Sequence, residues 1–207
     1  MMKELNSYRQ ELRPRILETA MTLFRKHGIR QVKMDDIAAT LGISKRTLYE
    51  LYANKEKLLL EGVIHEYDEQ VSHIRWFALS GRNEMEIVAE FVRCKLNAIQ
   101  DTNPQFFIEL HKYESIKKYL LQRRDSQRQQ SIEFINNGIA HGYFLKDINY
   151  DLLVELSDVL IDNVLEHDTL RKYSLNEILR NFTIVLMRGF STQKGINVID
   201  EYYNGLR

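Results

Sequence analysis

Apolar residues recur at helical spacing through most of this chain, and short polar or glycine-containing interruptions divide it into segments. Leu12, Ile16, Ala20, Leu23 and Phe24 share one side of a helix expected over residues 9–27. Pro14 comes early in it, where a missing N–H is tolerated, and His27-Gly28 closes it, with Gly28 expected at positive φ. Met34, Ile37, Ala38 and Leu41 fall at i, i+3, i+4 and i+7, one face of a short second helix. Gly42 follows, the residue that most easily takes the left-handed conformation ending a helix, and Ser44 can cap a third. A fourth helix opens near Lys55 and runs to about Ala78, before a break at Ser80-Gly81-Arg82-Asn83. Further helices are expected at about Glu84–Gln100, from Phe106 with a bend around Lys112–Ser115, at about Ile116–His141, Asp151–His167 and Ser174–Ser191. No strand-like alternation, repeat or low-complexity tract interrupts them, so the fold class is all-α.

Two of these helices are apolar on more than one side. Leu153, Leu156 and Leu160 face one way in the first, and Val154, Ile161 and Leu165 another. The second carries Ile178, Leu179, Phe182, Val185, Leu186, Gly189 and Phe190. A helix apolar on two faces must bury two faces. A second copy of the chain does this if each protomer gives two helices to a four-helix interface with closed two-fold symmetry. The interface residues expected are Leu156, Leu160, Val164, Phe182, Val185, Leu186 and Gly189. A helix pair fully internal to one protomer is the alternative.

The stretch Met34–Tyr49 carries the most specific signal. Leu48 points inward on the third helix, and Lys45, Arg46, Thr47 and Tyr49 cannot all follow it. Two short helices, a glycine turn, and a second helix offering basic, hydroxyl and phenolic groups describe a helix-turn-helix DNA reader. Upstream stand Arg15-Ile16-Leu17, Ala20, Leu23-Phe24 and Gly28; downstream come Tyr52-Ala53-Asn54-Lys55-Glu56-Lys57-Leu58. With Ile37-Ala38, Gly42, Ser44 and Thr47-Leu48-Tyr49, the block from about Arg13 to Leu60 resembles the DNA-binding domain of TetR-family transcriptional regulators.

That resemblance implies a helix-turn-helix DNA-binding domain at residues 1–54 and a helical ligand-binding and dimerisation domain at 55–207. It also implies a double-stranded DNA operator as partner, a homodimer and a small-molecule effector. Lys55 matches the family's phosphate-clamping lysine. Three positions depart from the family: Lys33 stands where Ser or Thr is usual, Arg46 where Gly is frequent, and Leu51 where many members have an aromatic residue or His. The DNA-facing set expected is Lys33, Ser44, Lys45, Arg46, Thr47, Tyr49, Leu51, Tyr52 and Lys55. Arg46 leads as base reader, because a guanidinium can bond O6 and N7 of guanine together. Lys45 and Thr47 would touch bases or phosphates, Leu51 a thymine methyl, and Tyr49, Tyr52 and Lys55 phosphates. Asp35-Asp36 suits a helix N-terminus and repels DNA, so capping is its expected role.

Charge supports a reader confined to one end. The 207 residues carry no net charge, yet residues 1–58 hold 12 basic and 7 acidic side chains against 17 and 22 in the remainder. Cys94 is the only cysteine, which excludes an intrachain disulfide and a thiolate metal cluster. An N-terminus interrupted by Lys3, Glu4, Asn6, Arg9 and Glu11 does not read as a signal peptide, and no apolar run suits a membrane span. A cytoplasmic location is therefore expected.

The six histidines are His27, His65, His73, His111, His141 and His167, none in a metal-protease spacing. His65 and His73, with Glu66 and Glu69, are better explained as exposed helix residues than as a metal site. No cofactor and no metal are expected, and no nucleophile, acid–base pair or phosphate loop gives enzyme chemistry a foothold. Phe91, Phe106, Phe107, Leu110 and Phe134, with Lys95 as an orienting polar group, are the candidate lining of an effector pocket. A helical protein-interaction module whose helix-turn-helix binds no DNA is the competing reading.

Overall fold

The computed structural model describes residues 2–166 and 172–204, and side chains from Glu11 onward, except that of Glu166. Ten α-helices run through the described residues: α1 Met2–His27, α2 Met34–Leu41, α3 Lys45–Leu51, α4 Lys55–Leu79, α5 Glu84–Gln100, α6 Pro104–Leu110, α7 Glu114–Ala140, α8 Tyr150–Glu166, α9 Leu175–Phe190 and α10 Gln193–Asn204. The fold is all-α, as the periodicity requires; His167, one of the six histidines and the expected end of the helix before α9, lies outside the described residues. No helix of the described residues is long and apolar enough to cross a membrane.

The chain separates into two compact units. The first is residues 1–69 with 101–118, the second 70–100 with 119–207. A division after residue 54 therefore falls inside the first unit, which keeps the start of α4 and takes in α6. Apolar packing explains this. Leu58 and Leu59 of α4, Phe106 of α6 and Ile116 of α7 join Leu12, Ile16, Ala20, Phe24, Ile37 and Leu48 in one buried cluster. A three-helix unit of about fifty residues would bury too little apolar surface to hold firmly, and α4 and α6 enlarge its core.

Local chemistry fixes the helix ends in this unit. Gly42 takes φ 66°, and the Ile43 N–H reaches back to the Ala38 carbonyl at 3.0 Å, closing α2 with a left-handed cap. Gly28 ends α1 at φ 84°, the conformation expected of it. The Asp36 carboxylate accepts the Lys33 N–H at 2.8 Å, so one of the two acidic residues does cap α2. Pro14 departs from expectation: α1 begins at Met2, which puts the proline inside the helix and deletes one rung of its ladder.

The second unit centres on Met85, Val92, Phe144, Met187 and Ile199. Phe144 packs against Phe134, Tyr150 and Phe190, with ring centroids 6.0, 6.3 and 5.7 Å apart. The polar middle of α7 is partly spent on α8, where Arg128 pairs with Asp151 at 2.9 Å and Arg124 with Asp158. The last helix, α10, was not expected from the sequence. It places Gly195 and Ile199 in the core and Tyr202 against Glu90.

Glu90 is 2% exposed and is the main buried charge of this unit. Arg93 donates to both its oxygens, at 2.6 and 2.7 Å, Tyr202 donates its phenol, and His73 of α4 lies 2.6 Å away. These donors hold the Glu90 carboxyl far below the usual carboxylate range, the Arg93 bond first among them. Burial and the Glu90 bond push the Tyr202 phenol up to about 12.

Candidate nucleic-acid interface

The helix α3 is anchored from beneath and bare above. Leu48 is fully buried in the core, and Ser44 caps the helix by accepting the Thr47 N–H at 3.1 Å. The Ser44 and Thr47 hydroxyls also meet at 2.8 Å. Arg46 projects from the opposite side, 89% exposed, with Nε donating to Glu50 Oε1 at 2.9 Å. That bond uses Nε; the guanidinium is the group that can bond O6 and N7 of guanine together. Tyr49 is 48% exposed beside it. Lys45 pairs with Asp35 of α2 at 2.5 Å, and that carboxylate raises its pKa above the ordinary lysine value. Asp35, expected as a cap, thus pairs with Lys45. Lys33 is exposed at the start of α2.

Three of the expected DNA-facing residues are placed differently. Tyr52 is 2% exposed; its phenol donates to Glu61 Oε1 at 2.9 Å and its ring lies under the Arg13 guanidinium. Burial, then Glu61, push its pKa well above the ordinary tyrosine value. Leu51 is half-buried and packs on the core. Lys55 turns its ammonium onto the loop between α1 and α2, donating to the Ile29 and Val32 carbonyls at 2.7 and 2.9 Å. Burial lowers its pKa from the ordinary lysine value, against the opposing pull of Glu109 and Asp36. A lysine at a helix N-terminus signals a phosphate clamp in sequence. Its actual partners are backbone oxygens more than twenty residues upstream, for which the sequence carries no sign.

The six candidate pocket residues do not form one group. Phe106 is buried in the first unit, edge-on to Phe107 with centroids 5.3 Å apart and under the Arg25 guanidinium, and Leu110 packs on the same core. Phe134 packs on Phe144 in the second unit, while Phe91 is partly exposed and carries the Lys95 ammonium 4.7 Å over its ring. A surface depression of about 340 Å³ in the second unit is lined by Gly81, Arg82, Asn83, Glu84, His141, Tyr143 and Lys194. None of the six lines it, and its charges are paired internally: His141 with Glu84, Lys194 with the His141 carbonyl, Arg82 with Glu86.

His73, Glu90 and Cys94 bring ligand-type atoms within 4.8 Å of one another. Arg93, Tyr202 and His73 already crowd both carboxylate oxygens, and the raised pKa of Cys94, caused first by burial, keeps it a thiol. The arrangement ties α4, α5 and α10 together as an ion-pair hub. His65 pairs instead with Glu69, at 3.5 Å.

Of the residues expected between protomers, Leu156 and Val185 are exposed, as are the neighbouring Leu152, Val154, Val159 and Ile184. Val164 is buried within its own chain, and Leu160, Phe182 and Leu186 are half-buried. Gly189 is exposed, with open space where a Cβ would stand.

Comparison with known proteins decides what this scaffold is. Residues 16–61 match the model of the bacterial regulatory proteins of the tetR family. Over that stretch the chain carries a tetR-family regulatory domain. The match covers α1 from Ile16 onward, α2, the turn at Gly42, the whole of α3 and the first turns of α4. Over 155 residues, 72% of this chain and 76% of the relative, it is 28% identical to the transcriptional repressor KstR2 of Mycobacterium tuberculosis. It is 25% identical to the regulator YvaF of Bacillus subtilis over 184 residues, 87% of this chain and 96% of that one. Among solved structures, a transcriptional regulator of Saccharomonospora viridis in complex with choline shares the fold at TM-score 0.68 and 22% identity, over 89% of this chain and all of that one. Both relatives are named as helix-turn-helix-type regulators of transcription.

Proposed function

We propose that the protein is a ligand-responsive repressor that binds a pseudo-palindromic operator as a homodimer in the cytoplasm. The observation that carries the reading is α3 itself, rigidly capped and buried on one side, with Lys45, Arg46 and Tyr49 presented on the other. Arg46 reads a guanine, while Lys33, Lys45, Thr47 and Tyr49 supply phosphate and flanking contacts that set register. Leu48, Leu51, Tyr52 and Lys55 hold that surface in place from behind.

Dimerisation is supported by the exposed apolar side chains of α8 and α9, which a lone subunit would leave in water. Paired copies would set two α3 helices in successive major grooves, about 34 Å apart. Repression is supported by relatives named as repressors. Effector response needs a molecule that binds one arrangement of the dimer better than another. The second unit, with the partly exposed Phe91–Lys95 pair, is where we place it. KstR2 is a ketosteroid transcriptional regulator and the S. viridis structure contains choline. Ligands so different in chemistry name no effector for this chain.

A mobility shift with DNA taken from beside the protein's own gene tests the reading. A discrete, competable complex is expected, and binding no better than to random DNA would overturn it.

A further inference from the structure

The helix-turn-helix is reached through the loop from Gly28 to Val32, and two charged side chains from outside that motif grip the loop. Lys55 takes the carbonyls of Ile29 and Val32, as described. Glu109 of α6 takes the other kind of group: its carboxylate accepts the Arg30 N–H at 2.8 Å. Glu109 is nearly buried, and its Oε2 lies only 3.3 Å from where a Cβ on Gly28 would stand. A buried carboxylate is costly unless its lone pairs are used, so this contact is built into the packing.

The helix bearing Glu109 is itself fixed to α1. The Asn103 N–H donates to the Arg25 carbonyl at 2.8 Å, Arg25 reaches Thr102 at 3.3 Å, and its guanidinium lies 5.0 Å from the Phe106 ring centre. Arg25 also pairs with Glu66 of α4. Residues 101–118 therefore belong to the same compact unit as α1–α3, although the family match ends at residue 61.

We propose that Glu109 is a positioning residue for DNA reading. By holding the Arg30 amide while Lys55 holds the flanking carbonyls, it sets where α2, and with it α3, stands on the α1 scaffold. The proposal rests on the reading of α3 as the DNA-contacting helix. Glu109 touches no DNA, so its loss should weaken all sequences alike and leave base preference unchanged, unlike loss of Arg46.

The test uses the full-length protein with Glu109→Ala and Glu109→Gln. Amide exchange should quicken about tenfold at Arg30 in Glu109→Ala, because one hydrogen bond to a charged group is lost. It should stay near wild type in Glu109→Gln, whose amide oxygen still accepts. The acceleration should be confined to residues 28–32, whereas a merely destabilised core would quicken Leu48 as well. Operator affinity should fall severalfold in Glu109→Ala, equally across single-base operator variants, and recover in Glu109→Gln. Unchanged exchange at Arg30, or quicker exchange with unchanged affinity, would overturn the proposal. A wild type that selects no DNA removes the functional reading and this proposal together. A wild type that binds, with both variants binding like it, overturns the proposal alone.

Discussion

Replacing Lys55 with methionine separates two roles that look alike in sequence. Methionine keeps most of the side chain's length and removes only the ammonium. Three carbonyls lose a charged donor, Ile29 at 2.7 Å, Val32 at 2.9 Å and, at a longer 3.4 Å, Arg30; Ile29 and Val32 are buried. Bonds to a charged group are worth about 1.5–3 kcal/mol each. Part of that is offset, because the burial that lowers the Lys55 pKa is a desolvation cost the variant no longer carries. The net loss expected is about 2–3 kcal/mol, which moves a urea midpoint by roughly 1 M at an ordinary m-value. DNA affinity should fall with it, evenly across sequences. The salt dependence of binding should keep its slope, because no phosphate contact disappears. A phosphate clamp predicts the reverse: unchanged stability and a slope shallower by about 0.9. Urea denaturation with operator titrations at several salt concentrations distinguishes them. An intact midpoint with a shallower slope would refute the loop-holding role.

Arg46→Ala should cost on the order of 1–3 kcal/mol of operator affinity and relax preference at one base pair; equal losses on operator and random DNA, measured by competition, would remove it as a reader. Glu90→Ala should destabilise the fold by on the order of 3 kcal/mol, since it leaves Arg93 and Tyr202 without their shared acceptor. The folded carboxyl titrates below its unfolded value of about 4.3, so its stabilisation is present above that pH and lost as the pH falls through the folded pKa. Acid melts should show the stability gap between wild type and variant narrowing as the pH falls; parallel curves would contradict the hub. Val185→Asp puts a charge on a side chain 70% exposed in one protomer. It should leave the melting of the subunit little changed and shift sedimentation from two chains to one, and an unchanged dimer would place the interface elsewhere.

The parts of the fold that could be read in the sequence are those whose determinants are local. Met34, Ile37, Ala38, Leu41, Gly42 and Ser44 each act within four residues of themselves, and α2, its left-handed cap and the α3 cap stand as expected. Roles that depend on distant partners were not visible. Phe106 is a fair pocket candidate until Arg25, far upstream, is found over its ring. Tyr52 and Lys55 point inward because Glu61, Arg13 and the Ile29–Val32 carbonyls wait there. Glu109 gave no signal at all, sitting among aromatics that suggested a cavity. The helix α10 was missed although Gly195, Ile199 and Tyr202 keep helical spacing, and the partner that holds it, Glu90, is remote in sequence.

Selection of DNA from a random library by the full-length protein tests the central claim most directly. An enriched sequence with two-fold symmetry is expected, its half-sites one or more helical turns apart and each containing a guanine whose preference weakens with Arg46→Ala. Recovery of DNA with no common sequence, or of a consensus unchanged by Arg46→Ala, would contradict it.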